Sequence, residues 1–298
     1  MHIHAGVSNF RPQNRQKTMK KNILLLILTA LVFSSCAKTF NAVLKSNDYE
    51  YKYEYAKEMY ALGKYTNAIA VLQDIVTILK GTENGEESLF MLGMCEFHNK
   101  NYETSAEYFR KYFKSYPKGI YAEPACYYIG ESLYYSTPEP RLDQSETMTA
   151  ISAYQEFLDI YTDSKLKYKA QDRMMQLQDK LVKKEFLSAQ LYYNLGSYFG
   201  NCLDGGNNYE ACIITAQNAL NDYPYCQNRE AFALLIMKSK YHLAKQSVEA
   251  KQEDRYRDAE DECYGFINEY PDSKDRKLAE EYIIDCKKHL GEKTEAES

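Results

Sequence analysis

The chain has 298 residues, a formal net charge of −5 and a pI near 5.7, which speaks against nucleic-acid binding, where a basic surplus is the rule. Twenty-nine tyrosines, no tryptophan, seven prolines and thirteen glycines point to helices with aromatic contacts rather than a turn-rich sheet protein. Past the leader, no stretch reaches the roughly 18 consecutive apolar residues of a membrane span.

The first signal along the chain is an address. Lys20-Lys21 is a short positive region, and Ile23 to Phe33 is an apolar run interrupted by Thr29. The run is too short to cross a bilayer and ends in the small residues Ser34-Ser35-Cys36, so residues up to 35 read as an upstream extension and a signal peptide. Met19, directly before the lysines, is the expected start. With Phe33-Ser34-Ser35 before Cys36, the segment resembles the lipobox of bacterial lipoproteins. That resemblance implies acylation of Cys36, removal of the leader and acylation of the new amino group. Two or three acyl chains hold a soluble domain persistently where one holds it marginally. The plainer alternative is a secretory leader in which Cys36 is incidental. Ala37-Lys38-Thr39-Phe40 carries no acidic residue, which in lipoprotein sorting implies an outer-membrane anchor facing the periplasm. Residues 36–48 read as a lipid-anchored tether.

Beyond the tether the sequence repeats itself. Ala56 is followed nine positions on by Tyr65, then by Ala68 and Leu72; Gly93 is followed likewise by Tyr102, Ser105 and Phe109, and this unit closes on Pro117. The pattern resembles the tetratricopeptide repeat, a pair of antiparallel helices. Small residues allow close approach, tyrosine packs at the turn, and proline stops the second helix. Weaker units follow at Gly130 with Tyr154 and Phe157, at Gly196 with Tyr209 and Cys212, and at Tyr256 with Cys263 and Phe266. Thr162 stands where the stop proline is expected, whereas Tyr223-Pro224 and Tyr270-Pro271 keep it. Insertions rich in turn-formers, Thr137 to Pro140 and Asp204 to Asn208, lengthen the third and fourth units. The expected fold is all-α, a solenoid of about five tetratricopeptide-like helix pairs over 49–290, with a flexible tail at 291–298.

Reactive chemistry is sparse. His98, His242 and His289 are far apart in sequence, there is no Cys-x-x-Cys pair, and Gly205-Gly206 lacks the context of a phosphate loop. Acidic pairs such as Glu86-Glu87 and Glu280-Glu281 sit in charge-rich helices and read as solvated faces. No enzyme, no cofactor and no metal site are expected. Beside Cys36 there are seven cysteines; Cys95, Cys126, Cys212 and Cys263 fall on apolar helix faces, while Cys202 or Cys226 could bridge to a neighbour such as Cys212.

In the tetratricopeptide family, positions five, twelve and thirteen of each unit face the concave side. Counted from the small residue at position eight, these are Tyr53, Tyr60 and Ala61, then Phe90, Phe97 and His98, then Tyr127, Tyr134 and Tyr135. The predicted groove is aromatic, with Lys57 its clearest cation, and suits an extended apolar or aromatic-rich peptide. The alternative is that these rings fill a tight superhelix and touch no ligand.

Several stretches are more specific than the repeats. Tyr134 to Gln144, with its Leu142-Asp143-Gln144, Lys184 to Tyr193, Asn228-Arg229-Glu230-Ala231, and Phe266 to Ser273 resemble the BamD family, lipoproteins of the outer-membrane β-barrel assembly machinery. The resemblance runs from about Cys36 to Leu290. It implies a non-catalytic periplasmic scaffold that binds the POTRA domains of a BamA-like insertase through its C-terminal units. Its N-terminal units would receive unfolded outer-membrane β-barrel proteins. The implied partners include the membrane, through the N-terminal lipid, and no nucleic acid. Alternatives are another periplasmic repeat lipoprotein for pilus or envelope assembly, and a surface nutrient-binding lipoprotein.

Overall fold

The computed structural model describes residues 40–198 and 207–291. The leader, Cys36, Cys202, most of the fourth-unit insertion and the tail therefore lie outside the described residues. Within them the chain is all-α, with no strand. It divides into two compact units, residues 1–128 and 129–298.

The first unit opens with a short helix over 40–45 (α1), then α2 (Tyr49–Ala61), α3 (Tyr65–Ile75), α4 (Glu83–His98) and α5 (Tyr102–Ser115), and reaches into α6 (Ala122–Ser136). Asp48 caps α2, its carboxylate accepting from Tyr51 N at 3.0 Å, and Thr82 caps α4, accepting from Gly85 N at 3.1 Å; both satisfy amides that a helix start leaves unpaired. The two hairpins turn alike. Lys64 N donates to Met59 O and Asn101 N to Glu96 O, around Gly63 at φ 70° and Lys100 at φ 65°. The second turn thus holds a lysine in the left-handed region where the first uses glycine. Helices α2 and α3, α3 and α4, and α4 and α5 pack in succession, and α2 also touches α4. That contact between alternate helices is how a stack of helix pairs grows. The core gathers Tyr53, Ala56, Ala68, Leu72, Ile75, Leu92 and Cys95.

Part of the predicted tether is docked in this unit. Val43 is fully buried in the core, Phe40 lies against Tyr55 with centroids 6.5 Å apart, and Lys52 donates to Leu44 O at 3.0 Å while pairing with Asp74. A buried valine on the short helix makes 40–45 part of the fold rather than a free linker.

The second unit takes the rest of α6, then α7 (Ser145–Ile160), α8 (Lys167–Asn194), α9 (Asn208–Asp222), α10 (Arg229–Lys245), α11 (Glu249–Glu269) and α12 (Arg276–Leu290). Successive helices from α7 to α12 pack together, and the alternate pairs α8 with α10 and α10 with α12 also touch. The stops repeat. Tyr161, Tyr223 and Tyr270 end their helices with ψ near 60–65°, each amide donating to the carbonyl four residues back. Tyr161 does so before Thr162, so the bend survives without proline. The polar stretch before Tyr256 is helical from Glu249 onward, as part of α11. Gly291 closes α12 in the left-handed region at φ 71°.

Candidate functional site

The aromatic residues expected to line a groove fall into two sets, one in each unit. In the first unit, Tyr53 is only 3 % exposed. Its hydroxyl donates to Glu87 Oε2 at 2.5 Å, and the Lys57 ammonium lies 4.9 Å from its ring centroid. Burial and then Glu87 push this phenol well above its usual range. Tyr53 therefore fills the contact between α2 and α4. Tyr127, expected on the groove, is 1 % exposed and meets Tyr128 edge-on at 5.6 Å. Tyr53 departs from its expected groove position because α2 and α4 approach closely enough to swallow the inward ring; Tyr127 is likewise buried, with the Tyr128 ring beside it.

The others in this unit keep surface. Phe90 is half-buried and stacks on Tyr121, centroids 4.6 Å apart. Phe97, also half-buried, meets Tyr102 at 5.5 Å and Tyr128 at 5.3 Å. His98 is exposed and stacks on Tyr65 at 4.6 Å, with Tyr60 edge-on to Tyr65 at 5.8 Å. Glu86, beside Glu87, accepts from the Tyr112 hydroxyl and from Ile120 N at 2.9 Å, while Tyr121 N donates to Tyr112 Oη at 3.1 Å. The Glu86-Glu87 pair is thus spent on holding aromatic residues in place rather than solvated.

In the second unit, Tyr134 is half-buried and Tyr135 is 45 % exposed. Arg173 of α8 lies over the Tyr134 ring at 4.2 Å and donates to Tyr135 Oη at 3.2 Å and to Glu131 Oε1 at 3.0 Å. Glu131 is nearly buried, accepts from the Tyr154 hydroxyl at 2.8 Å, and has Lys169 at 3.9 Å. Burial alone would lower the Arg173 pKa, but the Glu131 hydrogen bond and charge raise it. The guanidinium is a fixed cation over the half-buried Tyr134 ring, where partial desolvation strengthens the cation–π attraction relative to an exposed pair. Sequence reading missed Arg173, Lys169 and Glu131, since about 40 residues separate the two cations from Glu131 and from Tyr134 and Tyr135. One signal existed: Glu131 is a lone acid in the apolar run Ala125 to Tyr135, and a buried charge demands a partner.

The third-unit insertion is locked from within. Gln144 is buried, and its amide donates to Glu139 O at 2.8 Å and Leu142 O at 3.1 Å while its oxygen accepts from the Thr147 hydroxyl at 2.7 Å. All polar atoms of that side chain are used, so the loop has a defined shape.

Cys95, Cys212, Cys263 and Cys286 are buried thiols, and burial pushes Cys95, Cys263 and Cys286 up to about 12. Among the described residues no group of three or more His, Cys, Asp and Glu is placed to hold a metal ion. No helix among them is long and apolar enough to cross a membrane.

No curated protein matches the chain. A crystal structure of Podosopora anserina TPR-like repeats, described as nearly identical repeats of a kinesin light chain, aligns at 10 % identity with a TM-score of 0.30, covering 74 % of this chain and 95 % of its own. The family model described as outer membrane lipoprotein matches residues 46–252. That span takes in every helix from α2 to α10, and on it the chain belongs to the YfiO family of outer membrane lipoproteins.

Proposed function

We propose that the protein is a non-catalytic scaffold of outer-membrane β-barrel assembly, held on the periplasmic face by acylated Cys36. In this reading it binds the POTRA domains of a BamA-like insertase and unfolded barrel polypeptides. The observation that carries it is the outer membrane lipoprotein family match over 46–252, laid on a chain of tetratricopeptide-like helix pairs. The likeness of the 134–144 and 184–193 stretches to the BamD family supports it. Residues 36–39 link the lipid to the packed body, 49–290 form the binding body, and 291–298 form the tail.

The work is positioning rather than reaction. A tethered body that holds two polypeptides turns their encounter into a local event and raises its effective concentration, with no bond made or broken. Partly exposed rings suit the polypeptide side of that task, because aromatic side chains contribute large contact area with few rotors to freeze. Phe90, Phe97, Tyr60 and His98 in the first unit, and Tyr134 and Tyr135 in the second, offer such surface.

The test is purification of the full chain from its own membranes in mild detergent after reversible crosslinking. The expected partners are a POTRA-bearing barrel protein and unfolded barrel chains. Recovery of pilus subunits or of nutrient-uptake components instead would overturn the reading. Tyr134→Ala combined with Tyr135→Ala should cut crosslinking to barrel chains several-fold while the helical circular dichroism signal stays; unchanged crosslinking would remove these rings from the binding surface.

A further inference from the structure

Away from the aromatic clusters, a groove of about 430 Å³ runs between the α6–α7 insertion and the second half of α8. Pro140 and Arg141 form one wall, and Lys184, Leu187, Leu191 and Asn194 form the other. The two stretches most specific in the sequence, 134–144 and 184–193, meet here. We propose that this groove docks an acidic amphipathic helix of a partner protein. The proposal rests on the scaffold reading and gives that scaffold one defined attachment point.

Three observations carry it. The first is an apolar stripe that α8 leaves open. Leu191 is 56 % exposed, Leu187 and Leu195 stand one turn to either side, and Leu142 is exposed in the facing insertion. Residues spaced by four on one helix present a continuous face of about 12 Å, which matches two turns of a second helix. Leu191 and Leu195 are exposed and Leu187 is half-buried; a contiguous apolar patch with a polar rim marks an interaction surface.

The second is charge. The groove lining includes two cations, Arg141 and Lys184, and no carboxylate, in a chain whose net charge is −5. Neither cation forms a close ion pair among the described residues, although the charge of Lys184 reaches the Asp143 carboxylate through space. The nearby carboxylate of Asp143 is turned onto Ser145 N at 3.2 Å, at the start of α7. A basic rim around an apolar floor selects an apolar face flanked by Asp or Glu.

The third observation separates a helix from an extended strand. An added strand needs free backbone donors and acceptors along an edge. Here one wall is a helix, and in the other the Glu139 and Leu142 carbonyls are already taken by buried Gln144. The walls therefore offer side chains and little main chain. The same Gln144 clamp means that the loop does not have to be ordered on binding, which removes part of the entropic cost of association.

The experiment uses the full mature chain in detergent micelles and a fluorescein-labelled peptide of about four helical turns. The peptide carries leucines spaced by three and four, with glutamates flanking them. A twin replaces the glutamates with lysines, and a third peptide scrambles the acidic one. Anisotropy should show the acidic peptide binding at least about tenfold more tightly than either control. Leu191→Asp should weaken it by a similar factor. Arg141→Glu with Lys184→Glu should reverse the preference toward the lysine twin. Leu191 is exposed, so the variant is expected to fold, and its circular dichroism and melting midpoint check that it does. Equal binding of the three peptides, or unchanged binding by Leu191→Asp, overturns the proposal. So does a dimer in light scattering that Leu191→Asp dissociates, because the occupant is then a second copy of this chain. Peptide selectivity without any barrel-assembly protein in the membrane purification would leave the groove standing and bring down the scaffold reading alone.

Discussion

His242 of α10 lies within a cluster of tyrosine rings: Tyr209 stacks on it at 5.3 Å, Tyr241 meets it at 5.3 Å, and Tyr193 and Tyr282 stand at 6.0 and 6.2 Å. Burial, then Lys245 and Lys238, lower its pKa below the ordinary value. The sign of the consequence follows. The unfolded chain takes up this proton near pH 6.5 while the folded chain resists it, so stability is full above that pH and falls as pH drops toward the folded pKa. Thermal melting of the second unit should shift downward between about pH 7 and pH 5, and His242→Gln should flatten part of that slope. A slope unchanged by His242→Gln would mean that other groups carry it. Other decisive residues were harder to foresee. Lys52 is 3 % exposed and joins Asp74 to Leu44 O, although the sequence offers it as one more charge on a helix.

At the scale of elements, the small residues of the repeat have a direct explanation. A Cβ on Gly93 would lie 2.7 Å from the Phe109 ring, one on Gly130 2.8 Å from Tyr154, and one on Gly196 2.1 Å from Tyr209. Each glycine admits the aromatic ring of the following helix, and Ser105 secures the first of these contacts by donating to Gly93 O at 2.9 Å. Phe109 is fully buried, so its ring has nowhere to swing. Gly93→Ala should therefore cost about 1–3 kcal/mol in urea unfolding. Gly265, in the middle of α11, has nothing within 4 Å of its missing Cβ, and Gly265→Ala should stabilise by roughly 1 kcal/mol. Equal effects at the two positions would contradict this division. The same glycine–aromatic spacing is what made the helix pairs legible in the sequence, as did the Tyr-Pro stops at 116–117, 223–224 and 270–271. Less was legible where long-range packing decides. The docking of 40–45 depends on Val43, with Phe40 and Leu44 beside it, meeting a core built by later helices. The extension of α11 back to Glu249 follows a run with no apolar period. The burial of Tyr53 depends on how closely α2 and α4 approach, which a repeat register does not specify. Arg173 reached Tyr134 and Tyr135 only through the fold.

For the molecule as a whole, the docked segment 40–45 constrains the proposed anchor. From Cys36 to Phe40 the chain spans at most about 14 Å. Acylation of Cys36, as proposed, would hold the first helix pair close to the membrane surface rather than on a long leash. Cys36→Ser should move the protein from the membrane to the soluble fraction with its helical signal unchanged, and a variant that stays with the membrane would show that another contact anchors it. The central claim concerns what the anchored body serves. Its most direct measurement is quantitative proteomics of the outer membrane as the protein is depleted. The account predicts that β-barrel proteins fall together, several-fold, while other lipoproteins and inner-membrane proteins hold their levels. Barrel proteins that persist at normal abundance after depletion would contradict it.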